Sequence, residues 1–272
     1  MVQTTADFDA DTQEFILNTP TYGARKNWIS QGFVADKAVV MAELKINGDS
    51  KGPQAFVMDF RKDGELVKGI EVDDMGKKTT GNDLDNAWVA FDNVRIPKSA
   101  ILSKYADVED NEYVFKTQGV RPFDMIGQRL YTGRIAVAQA ALTYRKELFK
   151  RTKDYSDSKK TFAFKGEPVL SNIPQLKALY EVNDRKLAEL EDFVGKCELA
   201  LSECLKQDKL PSSKLVDAIA TCKVQAVENS IDACFKLKQE VGSFALMDSA
   251  GFKHMDFLQC CKFAEGDSRI LM

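Results

Sequence analysis

The sequence lacks residue types that several common kinds of site require. It contains a single histidine, His254, and no Cys-x-x-Cys pair, so a zinc site has too few ligands at the usual spacing. A Ser-His or Cys-His hydrolase is disfavoured for the same reason, because such enzymes need a histidine base. His254 follows Lys253 and is predicted to lie at the surface or in an interface. No metal site is therefore expected.

Charge and hydropathy exclude two further kinds of partner. The formal net charge is -3, and the densest basic run is only Lys159-Lys160, so we expect no nucleic-acid binding. No stretch approaches about 18 uninterrupted apolar residues, the length that a membrane-spanning helix needs. Residues 1–15 contain four acidic residues and no lysine or arginine, a composition that is wrong for a secretory or transit peptide.

The cysteines are confined to the last third of the chain. Their positions are Cys197, Cys204, Cys222, Cys234, Cys260 and Cys261. Cys197 and Cys204 are seven residues apart and would share one face of a helix. Buried thiols in a reducing compartment are favoured over disulfides or catalysis.

Two parts of the chain differ in hydrophobic period. Residues 1–98 carry short apolar or alternating runs separated by turn residues such as Asn47-Gly48-Asp49, which predicts an antiparallel β domain. Residues 99–120 are polar and predict a connector. From about residue 124, apolar residues recur at helical spacing, and residues 121–272 predict three long helices and a short one.

The ends of these helices carry recognisable signals. Ser171-Asn172-Ile173-Pro174 predicts a helix start with a Ser or Asn cap and a proline in the first turn, and Ser212 is predicted to cap the next helix. The fold class is therefore α+β: a small antiparallel β-barrel-like domain followed by an up-down helical bundle. From the residues alone, such a protein could bind a ligand, bind a protein or catalyse a reaction.

Five blocks of sequence, in order, resemble acyl-CoA oxidases and the wider acyl-CoA dehydrogenase superfamily. They are Thr4-Thr5-Ala6 with Phe15–Pro20 and Trp28-Ile29-Ser30, Met75-Gly76-Lys77 with Asn82–Ala87, Phe91–Pro97, Gly133–Ala136, and Lys262–Asp267. The resemblance spans nearly the whole chain. It implies FAD-dependent oxidation of fatty acyl-CoA to trans-2-enoyl-CoA, and it leaves open whether the enzyme is an oxidase or a dehydrogenase.

The resemblance implies a catalytic role for Glu265 and Gly266. Glu265 matches the family's base, which removes the proton next to the thioester carbonyl, while a hydride passes from the next carbon to the flavin. Gly266 would let the backbone approach the ligand, and the Glu265 N–H would polarise the thioester oxygen. The alternative is that Glu265 belongs, with Asp267, to an acidic surface turn.

Other residues match cofactor and substrate positions of the family. Trp28 and Ser30 would line the flavin, although Trp28 could instead be a half-buried strand residue. Arg134 would lie near the active site and the CoA moiety, or alternatively form a structural ion pair.

Two motifs depart from the family. The segment containing Lys159, Thr161 and Phe162 matches one that binds the flavin diphosphate of a neighbouring subunit, but Lys159 replaces its arginine. Gln239 and Gly242 match a motif at the adenosine end of FAD, but Ser243 replaces its second glycine.

The resemblance also implies segments that the chain does not contain. Family members carry an N-terminal helical domain, and family helices follow the base. One interpretation is therefore that the chain is part of an FAD enzyme that acts on fatty acyl-CoA. That enzyme would be a homodimer or a component of a larger assembly. Another is a catalytically inactive subunit with a scaffolding role, and a third is a plain helical interaction module. The resemblance suggests the peroxisome, but the chain ends in Ile-Leu-Met without a Ser-Lys-Leu signal, so another organelle stays open.

Overall fold

A computed structural model describes residues 2–117, 124 and 127–272, with the exception of the Arg129 side chain. The chain divides into two compact units, Met1–Gly127 and Gln128–Met272, which we call the β unit and the helical unit. Ile126, where the helical period begins in the sequence, lies outside the described residues. Each unit is described by itself.

The β unit is built from short strands joined by tight turns. Its strands are β1 (Thr5–Asp9), β2 (Glu14–Asn18), β3 (Lys26–Ile29), β4 (Lys37–Ile46), β5 (Asp49–Asp59), β6 (Arg61–Lys62), β7 (Glu65–Leu66), β8 (Ile70–Asp74), β9 (Ala87–Phe91), β10 (Val94–Pro97), β11 (Ala106–Glu109) and β12 (Glu112–Phe115). They form a five-stranded sheet in the order β10-β2-β1-β4-β5, a three-stranded sheet in the order β3-β9-β8, and the hairpins β6-β7 and β11-β12.

The pairing confirms an antiparallel-rich β domain but not a closed barrel. Among the described residues, β1 and β4 form a parallel ladder and the other ladders are antiparallel. No ladder in that part of the chain joins the five-stranded sheet to the three-stranded one. The barrel-like expectation is therefore corrected to two open sheets, because β3 pairs with β9 and not with β4.

Alternation of buried and exposed residues explains how the five-stranded sheet encloses a core. In β1 and β2 every second side chain is buried, as a strand with one face on the core requires. Phe15 is fully buried, and its ring centroid lies 4.9 Å from that of Phe56. Burial of one such side chain stabilises the fold by roughly 1.5–3 kcal/mol.

Residues 99–120 are more structured than the polar composition predicts. The hairpin β11-β12 lies within this stretch, and the side chains of Ala106 and Val108 are buried. Asp110 and Asn111 adopt φ values of 49° and 65°, which suit a two-residue hairpin turn. The acidic run therefore belongs to a hairpin of the β unit, with Asp110 and Asn111 in its turn. Residues 118–120 lie outside the described residues.

The helical unit contains three long helices and two short ones. They are α1 (Gln128–Ser158), α2 (Pro174–Lys206), α3 (Ser213–Glu240), α4 (Met255–Cys260) and α5 (Ser268–Leu271). Contacts such as Gln139 with Glu198 and Lys146 with Glu191 show that α1 and α2 run antiparallel. None of the described helices is long and apolar enough to cross a membrane.

One of the two predicted helix caps is correct. The Ser212 side chain accepts a hydrogen bond from the Leu215 N–H at 3.3 Å and caps α3. At α2 the proline occupies the first turn as predicted, but the cap residue is Ile173, without a side-chain cap hydrogen bond. The predicted cap residue Ser171 is instead buried in a 3-10 turn, Leu170–Asn172. It lies two residues before the cap position, Ile173.

All six cysteines are free thiols. Cys197, Cys222 and Cys234 are buried, whereas Cys260 is exposed and Cys204 and Cys261 are half-buried. Burial raises the pKa of the Cys222 and Cys234 thiols to about 12, so both are protonated and unreactive near neutral pH. These two thiols pack the bundle like other small apolar residues.

Candidate functional site

Glu265 lies at the apex of a closed turn after α4, which we call the Glu265 turn (residues 262–268). The Ser268 N–H donates to the Lys262 carbonyl at 2.8 Å and closes it. Glu265 and Gly266 both have left-handed backbone conformations, with φ of 57° and 119°. A non-glycine residue in this region costs on the order of 1 kcal/mol, and such residues concentrate at functional sites.

The start of α1 contacts this turn through Gly133 and Arg134. The Arg134 Nε donates to the Glu265 carbonyl oxygen at 3.0 Å. Glu265 packs its side chain against the Gly133 backbone, where a Cβ atom would lie 2.5 Å from the Glu265 Oε2 and 2.8 Å from its Cγ. Only glycine therefore admits the carboxylate at this position of the helix. The Arg134 side chain thus donates to the backbone of the Glu265 turn.

A lysine that the sequence reading missed holds the same turn from α3. The Lys223 ammonium donates to the Lys262 carbonyl at 3.0 Å, the Gly266 carbonyl at 2.7 Å and the Ser268 hydroxyl at 3.2 Å. Its side chain is fully buried, and burial lowers the pKa of the ammonium. The sequence pattern could have indicated this lysine, because Lys223 lies on the apolar face of α3, four residues after Ile219 and four before Val227.

The electrostatic surroundings of the turn are mixed. Lys262 forms an ion pair with Glu228 on α3 at 3.0 Å, and the Asp267 carboxylate accepts from the Arg269 N–H at 2.8 Å, which caps α5. The Glu265 side chain is exposed. The described residues of the helical unit thus position the carboxylate but do not shield it from water.

In the β unit, Trp28 and Ser30 lie on an irregular part of β3. Lys26 and Ile29 oppose Val89 and Ala87 of β9, so β3 carries one extra residue, a β-bulge. Trp28 falls within it, with φ of 61°, and its side chain is 62% exposed. The alternative of a half-buried strand tryptophan is therefore wrong. Bulges of this kind re-aim side chains and are frequent beside functional sites.

A cavity lies beside this bulge. Its volume is about 400 Å³, and its lining includes Ser30, Ile29, Lys26, Val39 and Phe91. Lys26 reaches from β3 towards β4 and donates to the Met41 carbonyl at 2.5 Å. Burial lowers the pKa of the Lys26 ammonium to about 8. Ser30 is exposed at the same edge. The cavity combines apolar walls with the amines of Lys26 and Lys37, the Ser30 hydroxyl and the Gln31 amide.

The remaining candidate residues lie at the other end of the bundle. Lys159, Thr161 and Phe162 follow α1 in a hairpin-like loop, in which the Thr161 N–H donates to the Pro168 carbonyl at 2.9 Å. Lys159 is exposed, and Phe162 is 89% exposed. Phe164, which the sequence reading did not single out, is 98% exposed.

Gln239 and Gly242 lie at the end of α3. Gln239 is exposed in the last turn, and Gly242 adopts φ of 63° just after the helix. Glycine in this conformation is a common way to end a helix, so Gly242 has a structural role already. Tyr155, near the end of α1, stacks on Phe244 with ring centroids 3.8 Å apart, which brings the end of α1 and the turn after α3 together.

The candidate residues of the helical unit therefore form two separate groups. Gly133, at the Glu265 turn, and Tyr155, at the second group, are 22 residues apart on one continuous helix. At about 1.5 Å per residue, the separation along α1 is roughly 33 Å. The structure brings Glu265, Gly266 and Arg134 together and places Lys159, Thr161, Phe162, Gln239 and Gly242 elsewhere.

Known proteins similar in sequence to this chain are acyl-CoA oxidases, although no protein-family model matches it. Acyl-coenzyme A oxidase 2 of Yarrowia lipolytica is 30% identical over an alignment of 297 positions, which covers 99% of this chain and 41% of that protein. The peroxisomal acyl-coenzyme A oxidase 3 of Arabidopsis thaliana is 33% identical over 196 positions, which cover 70% of this chain and 28% of that protein.

Solved structures show the same fold. Acyl-CoA oxidase 1 of Arabidopsis thaliana superimposes with a TM-score of 0.82 at 24% identity, over 99% of this chain and 43% of that one. Acyl-CoA oxidase-2 of Caenorhabditis elegans, solved with FAD, ascaroside-CoA and ATP, gives a TM-score of 0.84 at 21% identity, over 100% and 42%. Over most of its length this chain is an acyl-CoA oxidase-like protein, and it spans less than half the length of these relatives.

Proposed function

We propose that this chain contributes the catalytic base and part of the flavin site of an FAD-dependent oxidase of fatty acyl-CoA. The observation that carries the proposal is the presentation of Glu265. Its carboxylate lies against Gly133, where any larger residue would displace it, and its backbone is held by Arg134. A backbone held in this way at a strained apex, with the carboxylate against a glycine, suits a positioned base.

The reaction assigns a definite task to Glu265. Its carboxylate accepts the proton that leaves C2 of the acyl thioester, while a hydride leaves C3 and a double bond forms between the two carbons. The Glu265 N–H is the donor assigned to the thioester oxygen, whose negative charge grows as the proton leaves. Arg134 fixes the adjacent carbonyl and, through its charge, favours an anionic CoA group nearby.

Residues of the β unit fit a flavin ring on chemical grounds. FAD, when bound, supplies the hydride acceptor. The exposed Trp28 indole offers an aromatic face for a flat ring, and Ser30 offers a hydroxyl for its polar edge. The bulge at Trp28 turns the indole outward, where a ligand can cover it.

The second group supports a dimeric arrangement. This group lies roughly 33 Å along α1 from the Glu265 turn. Such a separation suits a cofactor that is bound mainly by a second copy of the chain. The members of the group are Lys159, Thr161, Phe162, Gln239 and Gly242. Lys159 can attract a diphosphate as a point charge, without the paired hydrogen bonds of an arginine. Relatives named as peroxisomal extend the proposal to that organelle.

A second candidate function is a non-catalytic subunit of a larger assembly. The observation that favours it is the exposure of Phe162 and Phe164, 89% and 98%, together with the exposed Glu265 side chain. Exposed aromatic residues on one loop are typical of a protein-binding surface. This candidate requires neither bound FAD nor the Glu265 carboxylate.

The test is flavin uptake and substrate-dependent peroxide formation by the complete native polypeptide. We expect a flavin absorbance band after incubation with FAD, and peroxide on addition of acyl-CoA. Glu265→Gln should lower the rate by about 10²–10⁴-fold with FAD retained, because it removes only the base. Glu203→Gln, on the exposed face of α2, is the matched control and should keep the rate.

Two outcomes would contradict the proposal. A wild-type protein that takes up no FAD and forms no peroxide favours the non-catalytic subunit, whereas full activity in Glu265→Gln would show that Glu265 is not the base. Reduction of an artificial electron acceptor without peroxide formation would instead identify a dehydrogenase.

A further inference from the structure

Lys223 is an unusual residue for the middle of a helix bundle. Its side chain is fully buried on the face of α3 that also carries Ile219 and Cys222. Lysines elsewhere on the helix behave ordinarily, as Lys236 does in an exposed ion pair with Asp232 one turn away. An ammonium is costly to remove from water, so its burial requires strong acceptors.

The acceptors of Lys223 lie on both sides of the Glu265 apex. One, the Lys262 carbonyl, precedes the apex at 3.0 Å, and two, the Gly266 carbonyl at 2.7 Å and the Ser268 hydroxyl at 3.2 Å, follow it. An ammonium has three N–H donors, and each of the three finds an acceptor here. Lys223 therefore ties the two arms of the turn to α3.

Arg134 completes the arrangement from the opposite helix. It donates to the Glu265 carbonyl at 3.0 Å, while Lys223 donates to the next carbonyl along the chain, that of Gly266. Since a peptide group is planar, fixing two successive carbonyl oxygens fixes the orientation of both peptide planes that flank Gly266. The left-handed conformations of Glu265 and Gly266 are thus held by cations from two different helices.

We propose that Lys223 is a positioning residue for Glu265: its buried ammonium holds the turn in the conformation that keeps the carboxylate against Gly133. The catalytic consequence rests on the proposed function, whereas the structural one does not. Lys223 contacts no substrate in this account and acts only through the Glu265 turn. Without the ammonium, the turn can relax from its strained apex and the carboxylate moves away from the reacting carbon.

The experiment compares four variants of the complete native polypeptide loaded with FAD. Lys223→Met removes the charge at similar length, Lys223→Arg restores a charge, and Ser268→Ala removes one of the three acceptors. Lys236→Met, an exposed lysine on the same helix, is the matched control. Amide hydrogen exchange is measured on peptides covering residues 262–268, and kcat and KM are measured with acyl-CoA.

We expect Lys223→Met to lower kcat by about 10- to 100-fold with little change in KM, because displacement of a base by about 1 Å has effects of this size. Faster amide exchange should be confined to the Glu265 turn. Lys223→Arg should restore part of kcat, Ser268→Ala should give a smaller loss, and Lys236→Met should match the wild type.

Unchanged kcat and unchanged exchange in Lys223→Met would overturn the proposal, as would exchange that rises across the whole bundle. If Lys223→Met fails to fold, Ser268→Ala decides: local exchange with lowered kcat supports the proposal, and wild-type values overturn it. If the wild type forms no peroxide, the proposed function fails while Lys223 is still tested. Exchange that rises only at residues 262–268 then supports its positioning role, and unchanged exchange overturns it.

Discussion

The two units present their candidate residues in opposite ways. In the helical unit, Glu265 is held by contacts from α1 and α3, through Gly133, Arg134 and Lys223. In the β unit, Trp28 projects from a strand bulge with 62% of its surface exposed. The helical unit therefore contains the supports of its candidate residue, whereas most of the candidate side chain of the β unit is exposed.

The two residues nevertheless share one feature. Trp28 and Glu265 both have left-handed backbone conformations, with φ of 61° and 57°. Most other non-glycine residues with positive φ in the described chain are Asn or Asp in turns, where this conformation is inexpensive. Tryptophan and glutamate gain nothing comparable from it, so strain at these two positions points to function.

The largest expected effect is on the stability of the helical unit, through a buried hydrogen bond between α1 and α2. The buried Arg145 donates to the Asn183 Oδ1 at 2.7 Å. Asn183→Leu should lower the free energy of unfolding by about 3 kcal/mol, because it leaves a buried charge without its principal acceptor. Urea denaturation measures this. Asn172→Leu, at an exposed site just before α2, should stay within about 0.5 kcal/mol, and equal effects would contradict the assignment.

The next effect tests whether the carboxylate needs the space at Gly133. Gly133→Ala should lower kcat by about 10²-fold by displacing the Glu265 side chain. Stability should hold or rise, since alanine favours a helix over glycine by about 1 kcal/mol. Gly195→Ala on α2 is the matched control, because a Cβ there meets no atom within 4 Å. Steady-state kinetics and urea denaturation of both variants are required, and wild-type kcat in Gly133→Ala would show that the Glu265 carboxylate does not need this space.

A smaller effect is expected at Trp28. Trp28→Gly removes an exposed ring and relieves about 1 kcal/mol of backbone strain, so stability should change little. FAD affinity should fall about tenfold through loss of the aromatic contact. Fluorescence titration with FAD measures the affinity, with Val34→Ala, also exposed in the β unit, as the control. A large loss of stability without loss of affinity would mean that Trp28 is structural.

The smallest effect is a pH dependence of the β unit. Because burial lowers the pKa of Lys26 to about 8, the folded chain loses this proton at a lower pH than the unfolded chain, where lysine titrates near about 10.4. Between these values the unfolded state binds more protons, so the free energy of unfolding rises with pH.

Comparison with Lys26→Met isolates this contribution. Between about pH 7.5 and about pH 9.5 the wild type should gain about 1–2 kcal/mol relative to the variant in urea denaturation. A constant difference would show that the Lys26 amine titrates as it does in water.

The sequence predicted the architecture better than the site. Alternation in β1 and β2 and helical spacing in α2 follow from periods that any strand or helix obeys, and both were correct. The open sheets and the burial of the β11-β12 hairpin could not be predicted, because strand pairing and burial depend on contacts distant in sequence. Polar composition at Asp107–Glu112 concealed the buried residues Ala106 and Val108.

Within the site, Glu265 could be singled out only by resemblance. Its supports needed the structure, since Lys223 lies 42 residues before Glu265 and Gly133 lies 132 residues before it. A lysine on an apolar helix face and a glycine inside a helix are recognisable exceptions to local rules. The sequence pattern does not show which groups Lys223 and Gly133 contact.

Proton transfer at C2 of an acyl-CoA tests the central claim most directly. An analogue with oxygen in place of C3 cannot lose a hydride there, so deuterium uptake at C2 in heavy water isolates the step assigned to Glu265. We expect the FAD-loaded native polypeptide to incorporate deuterium, and Glu265→Gln to slow incorporation by at least about 10²-fold. Equal rates in the wild type and in Glu265→Gln would contradict it.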